Sequence, residues 1–417
     1  MSSSSQFPSP KYSITKFHLS SQSEFIESLL SHQFAQYQSH HIEYRTFFSN
    51  HSTHCVVAFA GLRDELNLWK DYDEKDQSAP STKRLRSYCR WYEKKLEPLG
   101  EVDRESLEKI RSDESYMWEN FHNISSTKVV VKNEYATVLE YFMHKEHDSD
   151  LLDWKKKKTS MDLLNEYVPK MSQSLSGAAF HGLIETGWRI NGGFSVAPGL
   201  AYLVVRGMDL GSPKSLDDLT KEKNSDPVAI LKRVSEDHRF DNIFDGVDGF
   251  QSKLRILSQN PGLLNDYDIY VDPSSSYEDL QHFCEQLNEQ LYILFTKSDA
   301  RGDFFVLHAI TALHAMRIIL GHLTNSKHQL ELVRNFWRAV VSAFIVLKRP
   351  QPLQQDEQVY VPETWDENAE RADRLEHIDV HWYKLFYVSL LTEKRAPRLA
   401  PLLKEAVDLY YHQAKKT

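Results

Sequence analysis

The sequence predicts an all-α protein: one large multi-helical domain over residues 21–417, open to division into two lobes, behind a disordered tail at 1–20. Three observations carry that prediction. Glycine and proline number only 15 each in 417 residues, so turns are sparse. Apolar residues recur at three- and four-residue spacing in segment after segment, the period of a helix that buries one face. Sustained alternation of apolar and polar residues, the mark of a half-buried strand, is missing.

In order along the chain, MSSSSQFPSPKYS is Ser-rich, acid-poor and without an apolar segment, which reads as a disordered tail. An organelle transit peptide is the alternative, although the stretch contains no arginine. Helical spacing then runs through 25–37, 54–69, 85–96, 135–144 and 163–174. It returns at 280–295, 304–320, 330–347, 380–391 and 399–411. Polar stretches at 73–82, 147–159, 211–227, 260–276 and 348–362 separate these segments, and none is simple enough to be an interdomain linker. Residues 128–132 are the one β-rich candidate, short enough for a loop or an isolated pairing. Lysines 155–158 lie beside Asp148, Asp150 and Asp153 and read as a solvated loop rather than a basic patch.

Composition narrows the function classes. A net charge of −9 argues against nucleic acid, whose partners normally carry a basic face. The apolar runs 304–310 and 339–347 fall short of the roughly 20 residues that cross a bilayer, so no membrane is expected. Cys55, Cys89 and Cys284 have no CxxC spacing and form an odd count, which disfavours a disulfide framework and a cysteine-held zinc. A reducing compartment follows, and the cytoplasm is the expected location. The oligomeric state is not constrained.

No glycine-rich dinucleotide fingerprint, P-loop, nucleophile elbow or HExxH helix is present. What remains is 19 histidines, several of them inside apolar segments. His51 and His54 open the apolar stretch Val56–Phe59, three residues apart and so on one helical face. Either could instead be a capping or core histidine. His181 is flanked by small residues, which admits close approach of another helix or a ligand. Glu185, one turn on, could orient a histidine or simply pair with Arg189. His308 sits in an apolar run, where an unpartnered imidazole is costly. His314, six residues on, is about 240° around the helix, so the two do not face one site. Asp379 could cap a helix that places His381 and Lys384 on one face. Buried beside a metal, Lys384 would lose its proton and could take up carbon dioxide as a carbamate; otherwise it snorkels to solvent. Ligands projecting inward from separate helices suit a bundle-core metal site.

These four segments, Asn50–His54, His181–Ile184, 307–311 and Asp379–Lys384, together resemble the questin oxidase-like family in order and separation, over roughly residues 20 to 410. The resemblance implies an oxidoreductase: an oxygenase that cleaves anthraquinones or related aromatic polyketides with dioxygen, by Baeyer–Villiger-type or dioxygenase chemistry. It implies Fe(2+), or another divalent ion, held by His54, His181, His308 and His381 with a carboxylated Lys384. His51 and His314 stand in reserve. Lys384 and Glu185 are the expected catalytic residues, and NADPH would act as an external reductant. The last motif departs from the pattern, with Val380 where an acid is usual and Trp382 and Tyr383 in place of smaller residues. Trp188, Trp382 and Tyr383 are candidate walls for a flat apolar pocket. Two rivals stay open. One is a metal-free, NADPH-dependent quinone oxidoreductase using the histidines as acids and bases. The other is a non-catalytic helical scaffold.

Overall fold

The computed structural model describes residues 40–44, 48–69, 71, 76, 78–122, 132–147, 159–352, 362–374 and 378–415. The expected tail, the helix at 25–37, most of the β candidate at 128–132 and the lysines 155–158 lie outside these residues. Residue 132 itself begins a helix.

A short antiparallel hairpin, β1 (Glu43–Tyr44) against β2 (Phe48–Ser49), leads into an otherwise helical chain. The helices α1 (Ser52–Leu66), α2 (Pro80–Glu93), α3 (Arg104–Ser112), α4 (Lys132–His147) and α5 (Ser160–Met171) form the first half. The middle holds α6 (His181–Asn191), α7 (Ala197–Arg206), α8 (Pro227–Ser235) and α9 (Phe250–Gln259). The long helices α10 (Tyr277–Lys297), α11 (Phe304–His322) and α12 (Ser326–Val346) follow. The chain then runs through α13 (Trp365–Asp373), α14 (Val380–Arg395) and α15 (Ala400–Ala414). The all-α expectation holds, with one hydrophobic core running through these helices.

Helix starts are set by side-chain caps that satisfy otherwise orphaned N–H groups. Thr159, Ser276 and Thr364 each form a reciprocal capping box with the acid three residues on. Asp103, Asp226, Asp303, Asn325 and Asp379 cap α3, α8, α11, α12 and α14. The polar cap and first turn carry no apolar period, so periodicity alone places the starts of α10 and α12 three and four residues late, whereas α11 and α14, apolar from their first residue, begin where expected.

α11 is 19 residues long with a mean hydropathy of 1.7, apolar and long enough by those measures to cross a membrane. Its most apolar window is 78% buried inside the protein, so here it is the central core helix. Glycines let neighbours press against it and its partner α6. A Cβ on Gly187 would lie 2.5 Å from Ala315 Cα, and one on Gly182 would lie 2.9 Å from the Leu203 backbone. Packing is closed in a ring: α6 lies on α11, α11 on α14, α14 on α1 and α1 on α6. That ring positions the site.

Candidate metal centre

Each helix of the ring brings one histidine, and each does so near its N-terminal end. His51 is the N-cap residue of α1, His181 the first residue of α6, His308 five residues into α11 and His381 the second residue of α14. All four are buried, and one ligand nitrogen from each falls within 4.8 Å of the other three. His51 Nε2 lies 2.8 Å from His181 Nε2, which lies 3.1 Å from His308 Nε2.

The far side of three of the rings is fixed from outside the cluster, and the fourth histidine, His51, is held through its main chain. His308 Nδ1–H donates to the Phe304 carbonyl at 2.6 Å, and His181 Nδ1–H to the Ala178 carbonyl. His381 Nδ1–H donates to Asp379, whose carboxylate also accepts the His381 main-chain N–H at 2.8 Å. The His51 main chain donates to Tyr92 Oη at 2.5 Å, and Asn50 caps the turn beside it by accepting from Ser52. With Nδ1 committed as donor, a neutral imidazole presents Nε2 as an acceptor. Acceptor nitrogens 3.1 Å apart repel one another, and a cation among them turns that repulsion into attraction. His381 Nε2 has no hydrogen-bond partner among the described residues. Imidazoles oriented by carbonyls and a carboxylate are the usual outer support of a metal site. The residues present therefore fit a first-row transition ion, for which imidazole is a suitable ligand.

The backbone before His181 is strained to deliver it. Ala178, Ala179 and Phe180 follow one another in left-handed conformation at φ 46°, 53° and 67°. Each costs about 1–2 kcal/mol relative to ordinary backbone. Their tertiary setting holds them: Ala178 N–H donates to Gln251 at 2.8 Å, and a Cβ on Gly177 would strike the Arg206 carbonyl.

Burial pulls the proton affinities of His51, His181, His308 and His381 down, and the Lys384 charge adds to the effect in each case. All four rings are therefore ready ligands at neutral pH. Lys384 is fully buried, and its Nζ has no hydrogen-bond partner among the described residues. Burial pushes its amine down to about 7, against the opposing pull of Asp379 and Glu185.

His54, expected as a ligand, is outside the four-nitrogen group. Its ring stacks 5.3 Å from that of His51, and its Nε2 lies 2.8 Å from Glu185 Oε2. Glu185 thus touches His54 and, at 3.0 Å, Arg189, combining both of its expected roles. The difference arises because α1 begins at Ser52, which leaves His51 in the cap, where its ring can swing into the cluster. His314, the other reserve, packs on Trp188 and Tyr387, away from the group. Of the expected pocket walls, Trp188 lies beside His54. Trp382 instead donates to the Val407 carbonyl, and Tyr383 packs on Phe59 and Tyr88, so both serve helix packing. Phe304 escaped sequence reasoning altogether. Its ring centroid lies 4.2 Å from that of His308 and 4.8 Å from that of His381.

A second grouping, Glu363, Asp408 and His412, is already bridged by Arg371, which pairs with both acids. Among known proteins, residues 48–389 match the model of the Questin oxidase-like family. No curated protein matches the chain.

Proposed function

The chain belongs to the Questin oxidase-like family, and on that premise we propose that it is a non-heme metal-dependent oxygenase acting on a hydroxylated aromatic, anthraquinone-like substrate. The observation that carries this reading is the convergence of four buried histidine nitrogens, three of them on rings whose far nitrogen is held by a carbonyl or a carboxylate. Iron(II) bound there would activate dioxygen and polarise a substrate carbonyl.

In this reading His51, His181, His308 and His381 hold the ion, and Asp379 and the Ala178 and Phe304 carbonyls keep the rings aimed. His54 and Glu185 form a buried acid–base pair beside His51, placed to take or return a substrate proton. Lys384 supplies its neutral amine to carbon dioxide: the nitrogen lone pair bonds to carbon, one proton leaves, and the product is an anionic oxygen ligand. Burial supports this role because it favours the uncharged amine. Reducing equivalents such as NADPH would be delivered from outside the site.

Elemental analysis of protein purified without added metal tests the reading. Near-stoichiometric iron is expected in the parent, with little in His308→Ala or His51→Ala and much of it kept in His54→Ala. Substoichiometric metal in the parent after anaerobic iron reconstitution would favour metal-free acid–base chemistry instead.

A further inference from the structure

The four histidines are not open to solvent directly, and one side chain stands over two of them. Phe304 is only partly buried, whereas His308 and His381 beneath it are 0% and 5% exposed. Its ring is tilted against that of His308 at 53° and meets that of His381 edge-on at 65°, so a partly buried ring lies in contact with both buried ligands. Phe305, also partly buried, meets Phe304 edge-on at 5.6 Å and stacks face to face on Phe250 at 4.4 Å.

The backbone around Phe304 is anchored independently of its ring. Asp303 accepts from the N–H groups of Phe305 and Val306 at 2.7 and 3.1 Å, and the Phe304 carbonyl holds His308. Gly302 just before the cap adopts φ +72°, a conformation that favours glycine. Side-chain replacement at 304 therefore leaves the support of His308 in place.

We propose that Phe304 is the specificity-determining cover of the histidine cluster: its ring restricts the way to His308 and His381, and a flat aromatic substrate entering beside it replaces solvent against its face by stacking. The inference deepens the proposed function and rests on it for the substrate class alone; the cover stands on the ring geometry. An aromatic platform at the mouth selects planar ligands, because offset stacking rewards a matching flat face and gives nothing to a branched aliphatic one.

Two measurements test it on the full chain. Metal-free protein is treated with diethyl pyrocarbonate, and modification of each histidine is followed by peptide mass spectrometry, with His314 as internal reference. Phe304→Ala is expected to label His308 and His381 several-fold faster relative to His314, and Phe304→Trp no faster than the parent. Equal rates in Phe304→Ala and the parent would overturn the cover. Anaerobic absorbance titration of the iron-loaded protein with a dihydroxyanthraquinone then reads the platform. Phe304→Ala is expected to bind about three- to tenfold more weakly, with Phe304→Trp restored to the parent value. Equal affinity in Phe304→Ala and the parent overturns the stacking role. A parent that labels as expected but binds no quinone upholds the cover and defeats the substrate class of the proposed function.

Discussion

An amine shut inside a protein without a hydrogen-bond partner is a burden to the fold, and Lys384 is such a group among the described residues. Its unfolded counterpart is protonated at neutral pH, while burial holds the folded amine near 7. Folding therefore gives up proton affinity, at a cost on the order of 4 kcal/mol at neutral pH. Lys384→Met fills the same space without that cost. Denaturant unfolding of the metal-free proteins should find the variant more stable than the parent, while its bound metal falls. A variant that is less stable, with metal undiminished, would mean that Lys384 is structural. The same residue shows what a sequence can reveal. Its place one turn after His381 was legible from spacing, but its lack of a partner depends on what α1 and α6 bring against it. The choice between His51 and His54 was illegible for a related reason: the two rings stack side by side, and what sets them apart is the contact that Glu185, on α6, makes with His54.

At the scale of the helices, the site depends on how closely α6 and α11 cross. Gly187 allows it, since any side chain there would meet Ala315 Cα, Cβ and carbonyl oxygen at 2.5–2.6 Å. Those atoms are backbone or adjoin it and cannot turn aside. Gly187→Ala should push the helices apart, destabilising by about 1–3 kcal/mol and lowering metal affinity, although residue 187 touches no ligand. Urea titration together with metal analysis checks this; unchanged values for both would show that the crossing has slack. Amphipathic helices such as α10 and α12 were readable because polar and apolar faces alternate with the helical period. α7 was not, because nine of its ten residues are buried and no polar face remains to mark the period. α8 and α9 were missed as short helices of nine and ten residues in polar surroundings.

For the molecule as a whole, the buried histidines make stability depend on acidity. Burial, joined by Lys384, pulls His54 down to about 4, while the unfolded residue binds a proton near 6.5. Between these values the unfolded chain holds more protons than the folded one, so stability falls as pH drops from about 6.5 toward 4. His54 alone accounts for about 3 kcal/mol, and the four cluster rings act in the same direction. Unfolding free energies of metal-free protein at pH 7, 5.5 and 4.5 should decline steadily, and less steeply in His54→Gln. A flat profile would contradict the burial of these rings. Global architecture was the most legible scale: sparse glycine and proline and a pervasive helical period are properties of composition, which tertiary contacts do not alter.

The gathering of helix N-termini around the histidines has a consequence for which ions the site admits. Each helix start carries a partial positive charge of roughly half a unit, and three of the four clustered histidines sit at such starts. A cation placed there gains nothing from the surrounding field and must be held by bonds to nitrogen lone pairs. On the proposed reading, magnesium and calcium, which bind through charge and prefer oxygen, would be disfavoured by field and ligand together. An ion that shares electrons with imidazole overcomes the same field, and an anion arriving beside it is drawn in. On that reading the polarity of the helix ends would sort ions by bonding character before any difference in size could matter.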